Sequence, residues 1–150
     1  MLEQIAYEFY PVLAEKKLDL CTDIMPDVEI ICDMDKLERV FDNLLRNAVN
    51  YSYEQTKITL SMRLAGDHVK IVIRNCGKTI PPEKLERIFE QFFRLDSSRA
   101  SATGGAGLGL AIAKEIVELH GGSIRADSEN ESIVFTLLLP VDCQKIVRIS

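Results

Sequence analysis

Gly104-Gly105-Ala106-Gly107-Leu108-Gly109-Leu110 places four glycines within six residues, directly before a segment of helical character that runs from Ala111 to His120. Glycine lets the backbone approach a bound group closely and adopt positive φ values. The first turn of a helix offers unpaired N–H groups and a partial positive charge. The stretch therefore predicts an anion site, and phosphate is the usual anion at such a site.

Two other phosphate motifs fit this sequence poorly. The dinucleotide fingerprint G-x-G-x-x-G directly follows a strand, whereas these glycines are spaced G-x-G-x-G after a polar loop. Gly77-Lys78-Thr79 imitates the end of a Walker A loop, but Val72 stands where that loop needs its first glycine. A glycine loop with a purely structural role remains an alternative at this point.

Length and composition indicate one globular domain. The chain has 150 residues, 47% hydrophobic and 27% charged, which supports a core and argues against disorder. A net charge of −5 argues against a general nucleic-acid binder. No apolar run approaches the roughly 20 residues of a membrane helix, so we expect no direct membrane insertion. The four cysteines form no C-x-x-C pair, so neither zinc nor a disulfide framework is expected.

Hydrophobic periodicity predicts the element order α β β α β β α α β β. The predicted helices cover residues 2–13, 35–50, 81–92 and 108–120, and the predicted strands cover 18–24, 28–32, 56–64, 68–75, 123–126 and 133–139. Asp35 and Glu38 resemble a capping box at the start of the second helix. Since strands come in adjacent pairs, we predict an α+β two-layer sandwich: a mixed, mainly antiparallel sheet covered on one face by about three helices.

The domain is expected to span residues 1–140, followed by a C-terminal tail at 141–150. The first helix begins almost at the first residue, with no start signal before it. We therefore expect this chain to be a piece of a longer protein.

Three asparagines mark one face of the second predicted helix. At about 100° per residue, Asn43, Asn47 and Asn50 lie within roughly 60° of each other. Asparagine is a poor residue for a helix interior, so the stripe needs a reason. A carboxamide oxygen suits Mg²⁺, and the NH₂ group can donate to a phosphate. The stripe predicts a metal and phosphate site, with a solvated polar face as the alternative.

A second polar position follows a predicted strand. Residues 71–75 are succeeded by an Asn-x-Gly turn, Asn75 to Gly77, and then by the apolar Ile80. A side chain at such a strand end can contact the edge of a base, and an ordinary turn is the alternative.

Taken together, these segments resemble the ATP-binding catalytic domain of histidine kinases. Their N box, first glycine box, F box and second glycine box correspond to residues 43–52, 75–81, 88–96 and 105–110. The end of the family's domain is matched by residues 115–122 and 135–140. The resemblance covers about residues 1–140, and its motif variants are most similar to those of vancomycin-resistance sensor kinases.

The resemblance implies the Bergerat ATP-binding fold, with ATP and Mg²⁺ as cofactors. Asn47 would ligate Mg²⁺, Asn43 would face the phosphates, and Arg94 would approach the terminal phosphate or the partner domain. Asn75 would meet the adenine amino group, and Tyr51 would pack beside the base. Further nucleotide contacts would come from Asn50, Gly77, Ile80, Gly105, Gly107, Leu108, Gly109, Leu110 and Thr136.

The same resemblance implies some supporting roles. Phe92 and Phe93 would couple the lid over the nucleotide to the dimerisation helices, and Arg99 would lie within that lid.

Three positions depart from the family pattern. Asn75 replaces the usual adenine-reading aspartate; a neutral hydrogen bond is weaker by about 1 kcal/mol, which predicts roughly five- to tenfold weaker binding. Asn50 stands where the family often has lysine, a charge that Arg46 or Lys78 could supply instead. Thr79 replaces the last glycine of the first glycine box.

We therefore predict the cytoplasmic ATP-binding domain of a membrane-anchored two-component sensor histidine kinase. The phosphoacceptor histidine would lie on a dimerisation domain outside this chain, because His68 and His120 lack its sequence context and fit surface or capping roles. A response regulator would be the downstream partner. We expect the fragment to be monomeric and the full-length protein to be a homodimer. Alternatives are a serine kinase of the anti-sigma-factor type and a non-catalytic, ATP-gated binding module.

Overall fold

The computed structural model describes residues 2–93 and 109–141. Within these ranges the chain forms five helices and five strands. The helices are α1 (Leu2–Glu8), α2 (Tyr10–Glu15), α3 (Met34–Tyr51), α4 (Pro82–Leu85) and α5 (Gly109–Leu119). The strands are β1 (Asp19–Ile24), β2 (Lys57–Ala65), β3 (His68–Cys76), β4 (Ser123–Glu129) and β5 (Ser132–Pro140).

The described strands form one sheet in the order β1-β2-β3-β5-β4. β1 runs parallel to β2, while the other three neighbouring pairs are antiparallel. The prediction of a mixed, mainly antiparallel sheet is confirmed. The central β3–β5 pair sets Asn75 opposite Ile133 near one end of the sheet.

The core lies between this sheet and α1, α3 and α5. Alternate residues of the two central strands face the helices and are fully or almost fully buried: Val69, Ile71, Ile73, Ile133, Phe135, Leu137 and Leu139. The helix α3 buries Leu37, Val40, Phe41, Leu44, Leu45, Ala48 and Val49. Each such large apolar side chain contributes about 1.5–3 kcal/mol on burial. The predicted α+β two-layer sandwich is confirmed.

The prediction of one continuous N-terminal helix is wrong. α1 ends at Glu8 and α2 begins at Tyr10, with Phe9 as its N-cap residue. Pro11 lies in the first turn of α2, where a backbone N–H has no partner within the helix and its loss costs nothing. Because proline cannot donate to a carbonyl of the preceding turn, it does not continue α1.

The strand predicted at residues 28–32 is also wrong. Ile31 alone forms a bridge, and its N–H donates to the carbonyl oxygen of Val141 at 3.0 Å. Val28, Ile30 and Cys32 still pack against the core. The segment therefore contributes side chains to the core, although it does not form a strand.

Two helix boundaries differ from the sequence predictions. The N-cap of α3 is Asp33, not Asp35, because the extended Asp33 accepts a hydrogen bond from the N–H of Lys36 at 3.2 Å. The helix predicted to run from Pro81 to Phe92 ends at Leu85, and turns follow. Phe92 adopts a φ of 66°, which no helix allows.

In the turn between β4 and β5, two residues other than glycine adopt positive φ values. Its two residues, Asn130 and Glu131, have φ values of 51° and 58°, as in a type I′ hairpin. Glu131 is poorly suited to this conformation, whereas Asn-Gly is the preferred pair. We expect Glu131→Gly to stabilise the domain by about 1 kcal/mol, raising Tm by about 2–4 °C in thermal unfolding.

The matched control is Glu131→Ala, which removes the same carboxylate but keeps a Cβ. It should give none of the gain. Equal Tm values for the two variants would contradict a backbone origin.

Candidate functional site

An open cleft of about 750 Å³ lies between the end of α3 and the turn that follows β3. Its lining contains three lysines and one glutamate, so it favours an anion although the whole chain is acidic. Tyr51 and Ile80, both predicted to contact a base, belong to this lining. The described lining residues are Lys16, Tyr51, Ser52, Tyr53, Glu54, Lys78, Thr79, Ile80, Pro81, Lys84 and Ile133.

Asn75 lies beside this cleft on the core face of β3. Its residue is 1% exposed, and its partner across the sheet, Ile133, lines the cleft. The Nδ2 atom of Asn75 is buried and has no hydrogen-bond partner within the described residues. A buried donor without a partner costs about 1–3 kcal/mol. An acceptor on a bound molecule would recover this free energy.

Gly77 is fixed by a close approach of two chain segments. A Cβ built on Gly77 would lie 2.1 Å from the carbonyl oxygen of Tyr51 and 3.2 Å from Nδ2 of Asn75. Only glycine permits this contact, which presses the end of α3 against the end of β3. The N–H of Tyr53 reinforces it by donating to the carbonyl of Cys76 at 2.9 Å.

The turn after Gly77 is held by hydroxyl groups. The Oγ1 atom of Thr79 accepts from the N–H of Glu131 at 2.7 Å, which gives this threonine a role that the family's glycine cannot have. The N–H of Ile80 donates to Oγ of Ser128 at 2.9 Å. These bonds anchor the turn to the β4–β5 hairpin and fix Ile80 in the cleft wall.

The first residue of the asparagine stripe contacts the start of α5. Asn43, Asn47 and Asn50 are all half-buried, at the border of the apolar face of α3. The Nδ2 atom of Asn43 donates to the carbonyl of Gly109 at 3.2 Å. A Cβ on Gly109 would meet the carboxamide carbon of Asn43 at 3.7 Å. The structure thus brings Asn43 together with Gly109, and the next residue, Leu110, is half-buried.

The side chains of the asparagine stripe fit a magnesium ion that takes few oxygens from the protein and the rest from phosphate and water. Within residues 2–93 and 109–141, no group of three His, Cys, Asp or Glu side chains is placed to hold a metal. Mg²⁺ usually takes one or two protein oxygens and completes its shell with phosphate and water. The carboxamide of Asn47 can supply such an oxygen.

Lys16 is a site residue that sequence reasoning missed. It caps the end of α2, and its Nζ donates to the carbonyls of Val49, Asn50 and Ser52 at 2.8, 3.1 and 3.0 Å. Val49 and Asn50 lie in the last turn of α3, where carbonyls have no N–H of a further turn to accept from, and Ser52 is the C-cap residue, whose own N–H donates to Val49 at 3.4 Å. A cation there also stabilises the helix dipole. The contacts span more than 30 positions, so no local pattern could indicate them.

Thr136 is not brought to the cleft. It lies on β5 between Phe135 and Leu137, whose side chains face the core, and it pairs with Val72 and Arg125. Side chains alternate along a strand, so Thr136 points away from the helices. Among the described residues of β5, Ile133 occupies the cleft wall that we expected Thr136 to support.

Several other predicted residues cannot be placed or take different roles. Arg94, Arg99, Gly105, Gly107 and Leu108 lie outside the described residues. Arg46 pairs with Asp42 at 3.3 Å on the surface of α3, whereas Lys78 lines the cleft. Phe92 is 69% exposed, and Phe93 lies under the guanidinium of Arg87 at 4.7 Å.

His120 is buried and takes the capping role, the second of the two roles expected for it. Its Nδ1 donates to the carbonyl of Ile116 at 2.8 Å, and its Nε2 accepts from the N–H of Asp33 at 3.2 Å. His68 is partly exposed and lies 2.7 Å from a carboxylate oxygen of Asp67. That hydrogen bond lowers the pKa of Asp67.

Among the described helices, none has both the length and the apolar character needed to cross a membrane.

Sensor proteins of known name are similar in sequence to this chain. The chain is 49% identical to Sensor protein VanSC of Enterococcus gallinarum over 140 residues, which are 93% of this chain and 38% of that protein. It is 47% identical to Sensor protein VanS of Enterococcus faecium, over 93% of this chain and 36% of that protein. The chain therefore spans less than two fifths of the length of these relatives.

The fold matches solved histidine kinase domains. The catalytic domain of histidine kinase ThkA superposes with a TM-score of 0.85 at 27% identity, covering 96% of this chain and 92% of that chain. A complex of ThkA with the response regulator protein TrrA matches with a TM-score of 0.80 at 26% identity, covering 95% of this chain and 40% of that chain.

The resemblance read from the sequence motifs is thereby confirmed. The family profile described as "Histidine kinase-, DNA gyrase B-, and HSP90-like ATPase" matches residues 32–142. The asparagine stripe, the turn at Asn75 and every lining residue of the cleft except Lys16 lie within that range. The chain belongs to this family of ATP-binding domains and has the fold of a histidine kinase catalytic domain.

Proposed function

We propose that this domain binds Mg-ATP in the cleft and donates the γ-phosphoryl group to a histidine on a separate dimerisation domain. The observation that carries the proposal is the contact at Gly77, which sets the buried, unpartnered Nδ2 of Asn75 beside Tyr51 at the end of α3. This contact joins a candidate base-reading group to the helix that bears the asparagine stripe.

The base and the phosphates would contact different parts of α3, the base at its C-terminal end and the phosphates near its middle. Tyr51, Ile80 and Ile133 form the wall for the base, and Asn75 reads its edge. Asn43 and the start of α5 receive the phosphates, where helix N–H groups favour negative charge. Asn47 holds Mg²⁺, which neutralises charge on the phosphates and orients them. Arg94 is proposed for the terminal phosphate or the partner domain.

Partners follow from the relatives. ThkA has been solved with a response regulator, and we propose the same class of partner for the full-length form of this protein. We also propose a homodimer held by the histidine-bearing helices, anchored in the membrane, with this domain in the cytoplasm. The similarity to VanSC and VanS supports a sensor of the vancomycin-resistance type.

Phosphoryl transfer in trans tests the proposal. The domain is incubated with Mg-ATP, labelled at the γ-phosphate, and with the histidine-bearing helical hairpin of its full-length protein. We expect acid-labile label on the hairpin and none on the domain alone. The matched control is a hairpin with the acceptor histidine changed to glutamine.

The other outcomes each support a different function. Acid-stable label on a partner protein would indicate a serine kinase of the anti-sigma-factor type. Nucleotide binding with no transfer to any protein would indicate an ATP-gated binding module.

Removing the Lys16 ammonium is expected to weaken the base-binding wall. Lys16→Met keeps the side-chain length but removes the ammonium that donates to the carbonyls of Val49, Asn50 and Ser52, so the segment that carries Tyr51 loses one of its anchors. We expect Kd for Mg-ATP to rise about tenfold, corresponding to about 1.4 kcal/mol, in isothermal titration calorimetry. Inorganic tripolyphosphate, which has no base, should bind equally to both proteins.

Lys17→Met is the control, because Lys17 is exposed and carries the same charge. A similar loss of affinity in both variants would show that net charge, not the capping contact, is responsible.

A further inference from the structure

Asn75 is the one described residue with a buried side-chain polar atom that lacks a hydrogen-bond partner. The residue is 1% exposed, and it ends the core face of β3 opposite Ile133 in the cleft wall. Gly77 leaves no room for a Cβ between Asn75 and the carbonyl of Tyr51. The unpartnered amide is therefore held at the place where the base is proposed to lie.

A carboxamide offers what a carboxylate cannot. An ionised aspartate at this position only accepts hydrogen bonds, so it favours the 6-amino group of adenine and repels a 6-oxo group. Asparagine carries both an acceptor oxygen and a donor NH₂. Its last side-chain torsion is broad and roughly two-fold, so the two groups exchange places at low cost.

The surroundings leave this exchange open. Rotation of the carboxamide breaks no protein hydrogen bond of Nδ2 within the described residues, because Nδ2 makes none. In one orientation Oδ1 accepts from a 6-amino group, and in the other Nδ2 donates to a 6-oxo group. Tyr51, Ile80 and Ile133 are placed to pack against a purine, whose ring system is common to both kinds of base.

We propose that Asn75 makes this site accept 6-oxopurine nucleoside triphosphates, the class of ITP and GTP, as well as ATP. The inference rests on the proposed function, since it requires that the purine lie against Asn75. Asn75 is then a specificity-determining residue. Its neutral amide binds ATP more weakly than an aspartate would, but it accepts both kinds of purine base.

The test compares Mg-ATP with Mg-ITP. Their bases differ at the 6-position and in the proton on the adjoining ring nitrogen, and neither base carries a 2-amino group. Kd is measured by isothermal titration calorimetry for the wild-type chain and for Asn75→Asp. We expect the wild-type preference for ATP over ITP to stay below about tenfold. In Asn75→Asp, ATP should bind about five- to tenfold more tightly, and the preference for ATP should increase at least about tenfold.

The control variant is Asn130→Asp, which adds the same charge in the β4–β5 turn and should leave the ratio of the two Kd values unchanged. Thermal unfolding confirms that each variant is folded. A wild-type preference for ATP of about tenfold or more, or an Asn75→Asp preference that does not change, would overturn the inference while leaving ATP binding intact. Failure of the wild-type chain to bind either nucleotide would instead refute the proposed function.

Discussion

Gly77→Ala is expected to abolish nucleotide binding. The new methyl group would lie 2.1 Å from the carbonyl oxygen of Tyr51, and that oxygen belongs to backbone that Lys16 and Gly77 hold in place. Either α3 or the turn after β3 must move, which costs about 1–3 kcal/mol or more in stability. Because the displaced segments form opposite walls of the cleft, Kd for Mg-ATP should rise at least about 100-fold.

The measurement combines thermal unfolding with titration calorimetry. Gly66→Ala serves as the control, because Gly66 has a φ of +66° but no heavy atom within 4 Å of its added Cβ. That variant should lose stability through backbone strain and keep its affinity for Mg-ATP. If Gly77→Ala bound ATP as the wild type does, the contact between α3 and β3 would not define the site.

Asn47→Ala is expected to remove phosphoryl transfer while leaving the fold intact. Asn47 is half-buried on the stripe of α3, next to the fully buried Ala48, so truncation leaves little cavity. Loss of one group that stabilises developing charge typically lowers a rate by about 10²–10³-fold. We expect a loss of that size in transfer to the histidine-bearing hairpin.

The Mg²⁺ dependence of ATP binding tests whether the loss of transfer in Asn47→Ala comes from a lost magnesium ligand. In the wild type, ATP should bind more tightly with Mg²⁺ than with EDTA, and Asn47→Ala should reduce that difference. Glu38→Ala, on the exposed side of the same helix, is the control for changes in α3. A transfer rate within about threefold of wild type would remove Asn47 from the proposed metal site.

The sequence was most informative where one local period determines the structure. The apolar stripe of α3 and the spacing of Asn43, Asn47 and Asn50 depend only on the helical repeat, and the structure places them as predicted. The close approach at Gly77 was not predicted, because a glycine after a strand end is also typical of an ordinary turn.

Long-range contacts were beyond the reach of the sequence. The capping of α3 by Lys16 joins distant segments, and so does the bond between Thr79 and Glu131. Strand pairing raised the same difficulty, because residues 28–32 were predicted as a strand but only Ile31 forms a bridge. Thr136 was assigned by resemblance to the family, and it lies on the opposite face of β5 from Ile133 because side chains alternate along a strand and the two residues are three positions apart.

The buried His120 has a mechanical consequence. It ties the end of α5 to Asp33 at the start of α3, while Asn43 ties the middle of α3 to the start of α5. The two attachment points on α3 are ten residues apart, about 15 Å along the helix. Because the two helices are joined at both points, we expect α3 and the antiparallel α5 to move as one unit, so that a displacement of Gly109 is accompanied by a displacement of Asp33.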